Sequence, residues 1–378
     1  MKKILLSAQI VIMVLLFAAC SGRGKASLMQ EGGDTVRYEF ARNLQTIKYK
    51  NYTIVNIRNP WDTIKTLHTY ILLDRKVKHT DHLPEGSIVR TPMKRGIVYS
   101  SVHCGLMKEI GSFDNIAGVC DLEYNNIPGI KEGCNEGTIT DCGNSMNPDI
   151  ESIIDISPDG ILLSPFENSG GYGKIETLGI PIIECADYME GSPLARAEWM
   201  KFYGLLMGKE EFACVLFESI KKEYTRLSKM AKLQDKKPTV VTELKNGAAW
   251  YVPTGMSTTG QLIADAGGKY IFGHLKGYGA IPLSVETVVD KGHDADIWLI
   301  KYGSEREKTY ADIAKDNTIY TTFKAYKEKR IYGCNTFAVP FYEESPFHPD
   351  ILLKDLISIF HPKLTDGYKQ NYFTRIEK

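Results

Sequence analysis

The sequence predicts an α/β fold in two lobes joined by one long helix, and three observations predict it. Short apolar strands at 96–99, 161–163 and 296–300 alternate with helical segments, the mark of a parallel sheet covered on both faces. An amphipathic stripe of Phe212, Leu216, Ile220, Tyr224, Leu227 and Met230 recurs at steps of three or four within 209–236. Two hexapeptides, Ile150-Glu151-Ser152-Ile153-Ile154-Asp155 and Val285-Glu286-Thr287-Val288-Val289-Asp290, share one pattern of apolar, Glu, hydroxyl, apolar, apolar, Asp. Each is followed by an Asp-bearing turn and an apolar strand, as a duplicated α/β half would give.

The elements follow in order. Lys2 and Lys3 precede an apolar run ending in Ala18-Ala19-Cys20, too short for a membrane span of about 20 residues and closed by small side chains. Residues 1–19 read as a signal peptide. Cys20 after two alanines resembles a bacterial lipobox, which makes Cys20 the lipidation site, and the small polar residues of 20–33 read as a tether. The first lobe is assigned to 34–208. It opens with strand-like stretches near 36–40, 53–57 and 69–73. A strand at 96–99, a helix from 104 to 110 and a strand at 116–119 follow. After a Gly-rich loop over 125–146 come a helix from Pro148, a strand at 161–163, a helix at 172–178 and a strand at 181–184. Ser192 is placed as an N-cap with Pro193 in the first turn, and Gly208 as a stop. The helix at 209–236 reads as a strut of roughly 35 Å. The second lobe, 237–378, repeats the pattern with strands at 239–241, 296–300 and 330–332. Its helices are expected at 258–266, from a Ser284 cap to 290, and from Pro349 to 360.

Composition narrows the function. Lys plus Arg equals Asp plus Glu at 46 each, so no basic excess points to nucleic acid. Beyond Cys20 seven cysteines remain, an odd number, and Cys134 with Cys142 encloses a loop flexible enough for a disulfide. That bridge is expected. No Gly-x-Ser-x-Gly elbow, His-Glu-x-x-His or phosphate loop is present, so an enzyme such as a lipid-anchored hydrolase is only the alternative reading. The other alternative is a zinc or manganese receptor, which needs clustered His and carboxylate ligands. The His residues lack such spacing, and neither a resident metal nor a cofactor is expected.

The run Asn147-Pro148-Asp149-Ile150-Glu151 through Pro158-Asp159-Gly160-Ile161-Leu162, the Leu178-Gly179-Ile180-Pro181-Ile182 strand entry, Ala266-Gly267-Gly268 and Ser284-Val285-Glu286 together carry a resemblance. Over about 95–362 the chain is similar to the helical-backbone class of periplasmic binding proteins. The resemblance implies two Rossmann-like lobes with a ligand cleft between them. It also implies a monomeric receptor, anchored to a membrane of the cell envelope, that serves an ABC permease and its ATPase. The cargo it implies is an iron complex (a ferric siderophore or haem) or cobalamin. It further implies that Glu151 and Glu286 dock onto permease arginines. The stretch 36–73 fits the pattern less well.

Ligands of open α/β sheets bind outside the C-terminal ends of strands. First-lobe candidates are therefore Tyr99, Ser100, Ser101 and His103; Ser164, Pro165 and Phe166; and Asp187, Tyr188 and Met189. Second-lobe candidates are Trp250, Tyr251, Tyr278, Lys301 and Tyr302. Aromatics suit flat or macrocyclic ligands, and Gly277 and Gly279 flank Tyr278 so that backbone can approach a bulky one.

Overall fold

The computed structural model describes residues 32–78, 82–167 and 171–377. The expected signal peptide and the lipidation site Cys20 lie outside the described residues. Among the described residues no helix is long and apolar enough to cross a membrane.

The chain begins with a layer of its own. Strands β1 (Asp34–Val36), β2 (Leu44–Lys48), β3 (Tyr52–Arg58), β4 (Thr66–Asp74) and β5 (Ser87–Thr91) form one sheet in that order, antiparallel except for the parallel β4–β5 pair. Its inner face buries Val55, Ile57, Tyr70, Leu72 and Val89 against Met200, Phe202 and Leu206. Two buried carboxylates tie its entry loop down. Glu198 accepts the amides of Glu39, Phe40 and Ala41, and Glu190 accepts those of Arg42 and Asn43 together with the Trp199 indole. Charge-assisted bonds of this kind are about twice as strong as neutral ones.

The first parallel sheet follows: β6 (Gly96–Val98), α1 (Ser101–Glu109), β7 (Ile116–Val119), α2 (Ile130–Glu136), β8 (Thr140–Asp141), α3 (Ile150–Ile156), β9 (Gly160–Leu163) and β10 (Ile182–Glu184). The strand order is β10-β9-β6-β7-β8, parallel throughout. β10 would be a free edge, a template for stray pairing. The Tyr70 hydroxyl of the accessory sheet blunts it, donating to the Ile182 carbonyl at 3.0 Å and accepting the Glu184 amide at 2.8 Å.

Helices α4 (Pro193–Glu198) and α5 (Met200–Met207) lead to α6 (Glu210–Lys232). Ser192 caps α4 as expected, its hydroxyl accepting the Ala195 amide. Gly208 closes α5 at φ 67°, a conformation that costs a residue without Cβ little. The strut is present: α6 gives Ala213, Phe217 and Ile220 to the first core and Tyr224, Leu227 and Ala231 to the second. The expected stripe is right in its second half. In the first half Phe212 is exposed and Phe217 is buried instead, because one straight helix turns different faces to two cores.

The second lobe comprises β11 (Thr239–Thr242), β12 (Trp250–Pro253), α7 (Thr258–Asp265), β13 (Lys269–Tyr270), β14 (Ala280–Leu283), α8 (Val285–Gly292), β15 (Ile297–Tyr302), α9 (Tyr310–Asp316), β16 (Ile331–Asn335), α10 (Phe341–Glu344), α11 (Pro349–Phe360) and β17 (Thr374–Arg375). Its sheet runs β13-β11-β15-β16-β17, with only β17 antiparallel, and β12 pairs with β14 in a separate antiparallel two-stranded sheet. The matched helices α3 and α8 occupy equivalent places. Each precedes a strand (β9, β15) that inserts beside the first strand of its own sheet (β6, β11). That topology fits the duplicated half read from the hexapeptides.

The expected Cys134–Cys142 bridge is overturned: all seven described cysteines are free. Cys134 packs against the core shared with the accessory sheet, and Cys142 belongs to the smaller core with Ile153 and Ile161. The polar loop thus folds over two different packing faces and keeps the two thiols apart.

Candidate functional site

A cavity of about 560 Å³ lies where β6, β7 and β9 end. The chain leaving β6 supplies Tyr99, Ser100 and Ser101. The chain leaving β7 supplies Cys120, Asp121, Tyr124 and Asn125, and β9 leads to Ser164 and Phe166. β6 and β9 are neighbours, yet the chain departs from them toward different strands, so the hollow sits at the switch point of the sheet. Ser145, Met146 and Tyr172 come in from the loops and complete much of the wall.

Local structure fixes these groups. Ser100 is the N-cap of α1, its hydroxyl accepting the Val102 amide at 3.3 Å. Asp121 stands in the left-handed region at φ 51°, a conformation a non-glycine residue adopts only when its surroundings hold it. Its amide donates to the Gly143 carbonyl at 2.8 Å and its carboxylate accepts the Ser145 amide at 3.0 Å, which draws the loop over the strand ends. Burial raises the Tyr99 phenol above its ordinary range, and the hydroxyl lies beside the Cys120 thiol with no oxygen or nitrogen partner. Burial likewise pushes the lining Cys120 thiol up, with Cys142 and Asp121 pushing the same way, so this wall carries a thiol and not a thiolate at neutral pH. The Tyr172 hydroxyl donates to Glu184 at 2.7 Å.

Of the sequence candidates, Tyr99, Ser100, Ser101, Ser164 and Phe166 meet on this one wall. Phe166 is 48% exposed, a large apolar ring left uncovered at the cavity. Three of the remaining first-lobe candidates, His103, Asp187 and Tyr188, are held in structural hydrogen bonds. His103 is buried, and its Nε2 meets the Asp187 carboxylate at 2.8 Å. Asp187 also accepts Arg196 and the Tyr203 hydroxyl. Burial opposes its charge, but His103 and then Arg196 hold it down to about 2. Tyr188 donates its hydroxyl to the Pro165 carbonyl and braces the turn after β9.

In the second lobe Trp250 is a correction. It is fully buried, stacks on Trp298 with centroids 5.9 Å apart and donates to the Thr242 carbonyl. Tyr302 is buried and donates to Glu307, and Lys301 is paired with Glu243. Aromatic content marks a core as readily as a binding face, and here it marks the core. Tyr251 is exposed on the β12–β14 pair and is not among the residues of the cavity wall. Tyr278 is 57% exposed and reaches the first lobe, where its ring leaves Gly191 no room for a Cβ beyond 3.1 Å.

Sequence reading missed Asp121, Tyr124, Met146 and Tyr172. The strand-end rule applied to the expected strand 116–119 gives Cys120 and Asp121 directly. No local signal marks Met146 or Tyr172.

The lobes touch at two places. At one, Gln261 donates to the Gly191 carbonyl. At the other, α1 lies on α10 so closely that a Cβ on Gly105 would come within 2.3 Å of the Glu343 carbonyl oxygen. His348 joins Glu109 at 3.3 Å there. Burial disfavours the His348 charge, yet Asp350 and Glu109 raise its pKa to about 9.

Glu151 and Glu286 stand exposed in the first turns of α3 and α8, where the helix dipole favours a carboxylate. The Glu286 carboxyl is held below the usual range by its own amide and by Ser284. Among the described residues no group of three His, Cys, Asp or Glu side chains is arranged to hold a metal ion.

Residues 97–336 match the sequence model of the periplasmic binding protein family. A lipoprotein of Methanocaldococcus jannaschii is 29% identical over 296 residues, covering 76% of this chain and 70% of that protein. A periplasmic heme binding protein from Pseudomonas aeruginosa superposes with a TM-score of 0.58 at 13% identity, over 76% of this chain and 99% of that one. An Fe3+-hydroxamate transport protein from Saccharomonospora viridis gives 0.55 at 16% identity, over 74% and 96%. Identities this low carry the fold alone.

Proposed function

The chain belongs to the periplasmic binding protein family, the solute receptors of ABC importers, and on that premise we propose that it captures an iron complex or a cobalamin in the first-lobe cavity. The observation that carries this reading is the aromatic hollow at the sheet's switch point. Its volume lies within the 300–1,000 Å³ usual for small-molecule sites. Names of structural neighbours, one a heme binder and one a hydroxamate transporter, support the cargo class. Capture needs only a small closing of the lobes, because α6 is packed into both cores and resists a wide hinge. Fluorescence titration with a ferric trihydroxamate, haemin and cyanocobalamin tests the reading. Saturable sub-micromolar binding of one class supports it, and no binding of any refutes it.

Delivery follows the same logic. Glu151 and Glu286 offer exposed carboxylates at equivalent sites on the two lobes, suited to guanidinium partners on a permease driven by its ATPase. Glu151→Arg with Glu286→Arg abolishes uptake while leaving cargo affinity unchanged. Lipid on Cys20 holds the receptor, a monomer, at the membrane surface. The Ala-Ala-Cys junction and the lipoprotein relative support this. Cys20→Ala removes radiolabelled palmitate incorporation and releases the protein to the soluble fraction. The strand-rich start of the chain precedes the residues matched to the family, and its role here is to seal the β10 edge.

A further inference from the structure

We propose that the cargo of this cavity carries no net negative charge, an inference that rests on the capture reading above. Among the described residues the cavity is lined by no Lys, Arg or His, and its one ionised group is the Asp121 carboxylate. That carboxylate is fixed by the left-handed backbone and by the Ser145 amide on one oxygen. Its second oxygen has no partner among the described residues. A further acid stands behind the wall: Glu184 is buried and accepts the Tyr172 hydroxyl.

The donors that could answer an anion are weak or already used. Tyr172 gives its proton to Glu184, and Asn125, whose side-chain oxygen accepts the Ile127 amide, has only a neutral N–H to offer. The remaining donors include the hydroxyls of Ser100, Ser101, Ser145 and Ser164. Hydroxyls match neutral carbonyl or hydroxamate oxygens well but supply no countercharge, and an uncompensated buried charge is costly. Lys174, between the lining residues Gly173 and Ile175, is not part of the wall. On the facing lobe Lys301 is neutralised by Glu243. Of the cargoes open to this family, a neutral or cationic ferric hydroxamate therefore suits the wall. A ferric tris-catecholate with three negative charges or a haem with two carboxylates does not.

Titration of the full-length chain in detergent with a charge series of ferric complexes tests this. The probes are a neutral trihydroxamate, a trihydroxamate bearing one free ammonium group, a tris-catecholate and haemin. The expected result is binding of the first two at least ~100-fold tighter than the last two. Asp121→Asn, which keeps a side chain tolerant of the left-handed backbone, weakens the ammonium complex roughly 3- to 10-fold more than it weakens the neutral one. Equal or tighter binding of the tris-catecholate or of haemin to the unsubstituted protein overturns the charge inference while leaving the capture reading intact. Failure of all four complexes and of cyanocobalamin brings down the capture reading, and the inference with it.

Discussion

At the ends of the first lobe's parallel strands the side chains stand back from a hollow of about 560 Å³. Beside the end of β11 in the second lobe, the matching space is filled. Trp250 and Trp298 stack there and send their indole N–H groups to the carbonyls of Thr242 and Glu243, with Tyr320 and Phe323 packed against them. The two halves share topology, a capped helix with the same residue pattern, and a long helix between them. They differ in where large rings were placed. The second half packs Trp250 and Trp298 into its core, and the first leaves Phe166 and Tyr124 uncovered at a cavity. Duplicated architecture therefore does not imply duplicated function.

The comparison can be broken at its filled side first. Trp298→Ala removes a fully buried ring from the second core and is expected to cost about 3–5 kcal/mol of unfolding free energy by urea titration. A cost below about 1 kcal/mol would mean the cluster is not cohesive packing. On the hollow side Asp187→Ala strands His103 and Arg196 and is expected to cost about 3 kcal/mol, because one partner of a buried ionic network is lost. Phe166→Ala sharpens the contrast. It should change stability by less than about 0.5 kcal/mol while weakening cargo binding by roughly 10-fold, since an exposed ring contributes little to folding and much to stacking.

The smallest effect concerns the seam between the halves. His348 has its folded pKa raised to about 9 from an ordinary 6.5 by Asp350 and Glu109. A raised cation pKa contributes stability that is complete below about 6.5 and is lost as pH rises through about 9. The melting temperature should therefore decline across that window by a few degrees more than in His348→Gln. Parallel curves for the two proteins would show that the pair does not hold the lobes.

Much of this was legible beforehand. Pro349 and the apolar spacing after it place α11 at Pro349–Phe360, and Ser284 caps α8 as expected. β2 and β5 were not legible: each is held by the register of its neighbours in the accessory sheet, and in β5 only Val89 is deeply buried. α2 sits within a Gly- and Asn-rich stretch whose composition argues for a loop, and tertiary packing of Ile130 overrides that preference. Among site residues, those leaving β6 and β9 were readable because strand ends converge at a switch point. In the second lobe Trp250 was misplaced because a tryptophan that fills a core and one that faces a ligand have the same sequence signature.

Hydrogen exchange of the receptor, free and saturated with whichever complex binds in titration, tests the account most directly. Slowing is predicted for backbone amides at 99–102, 120–126 and 164–166, with the second lobe's 240–252 and 297–302 unchanged. Protection confined to the second lobe, with the first-lobe strand ends exchanging as before, would contradict it.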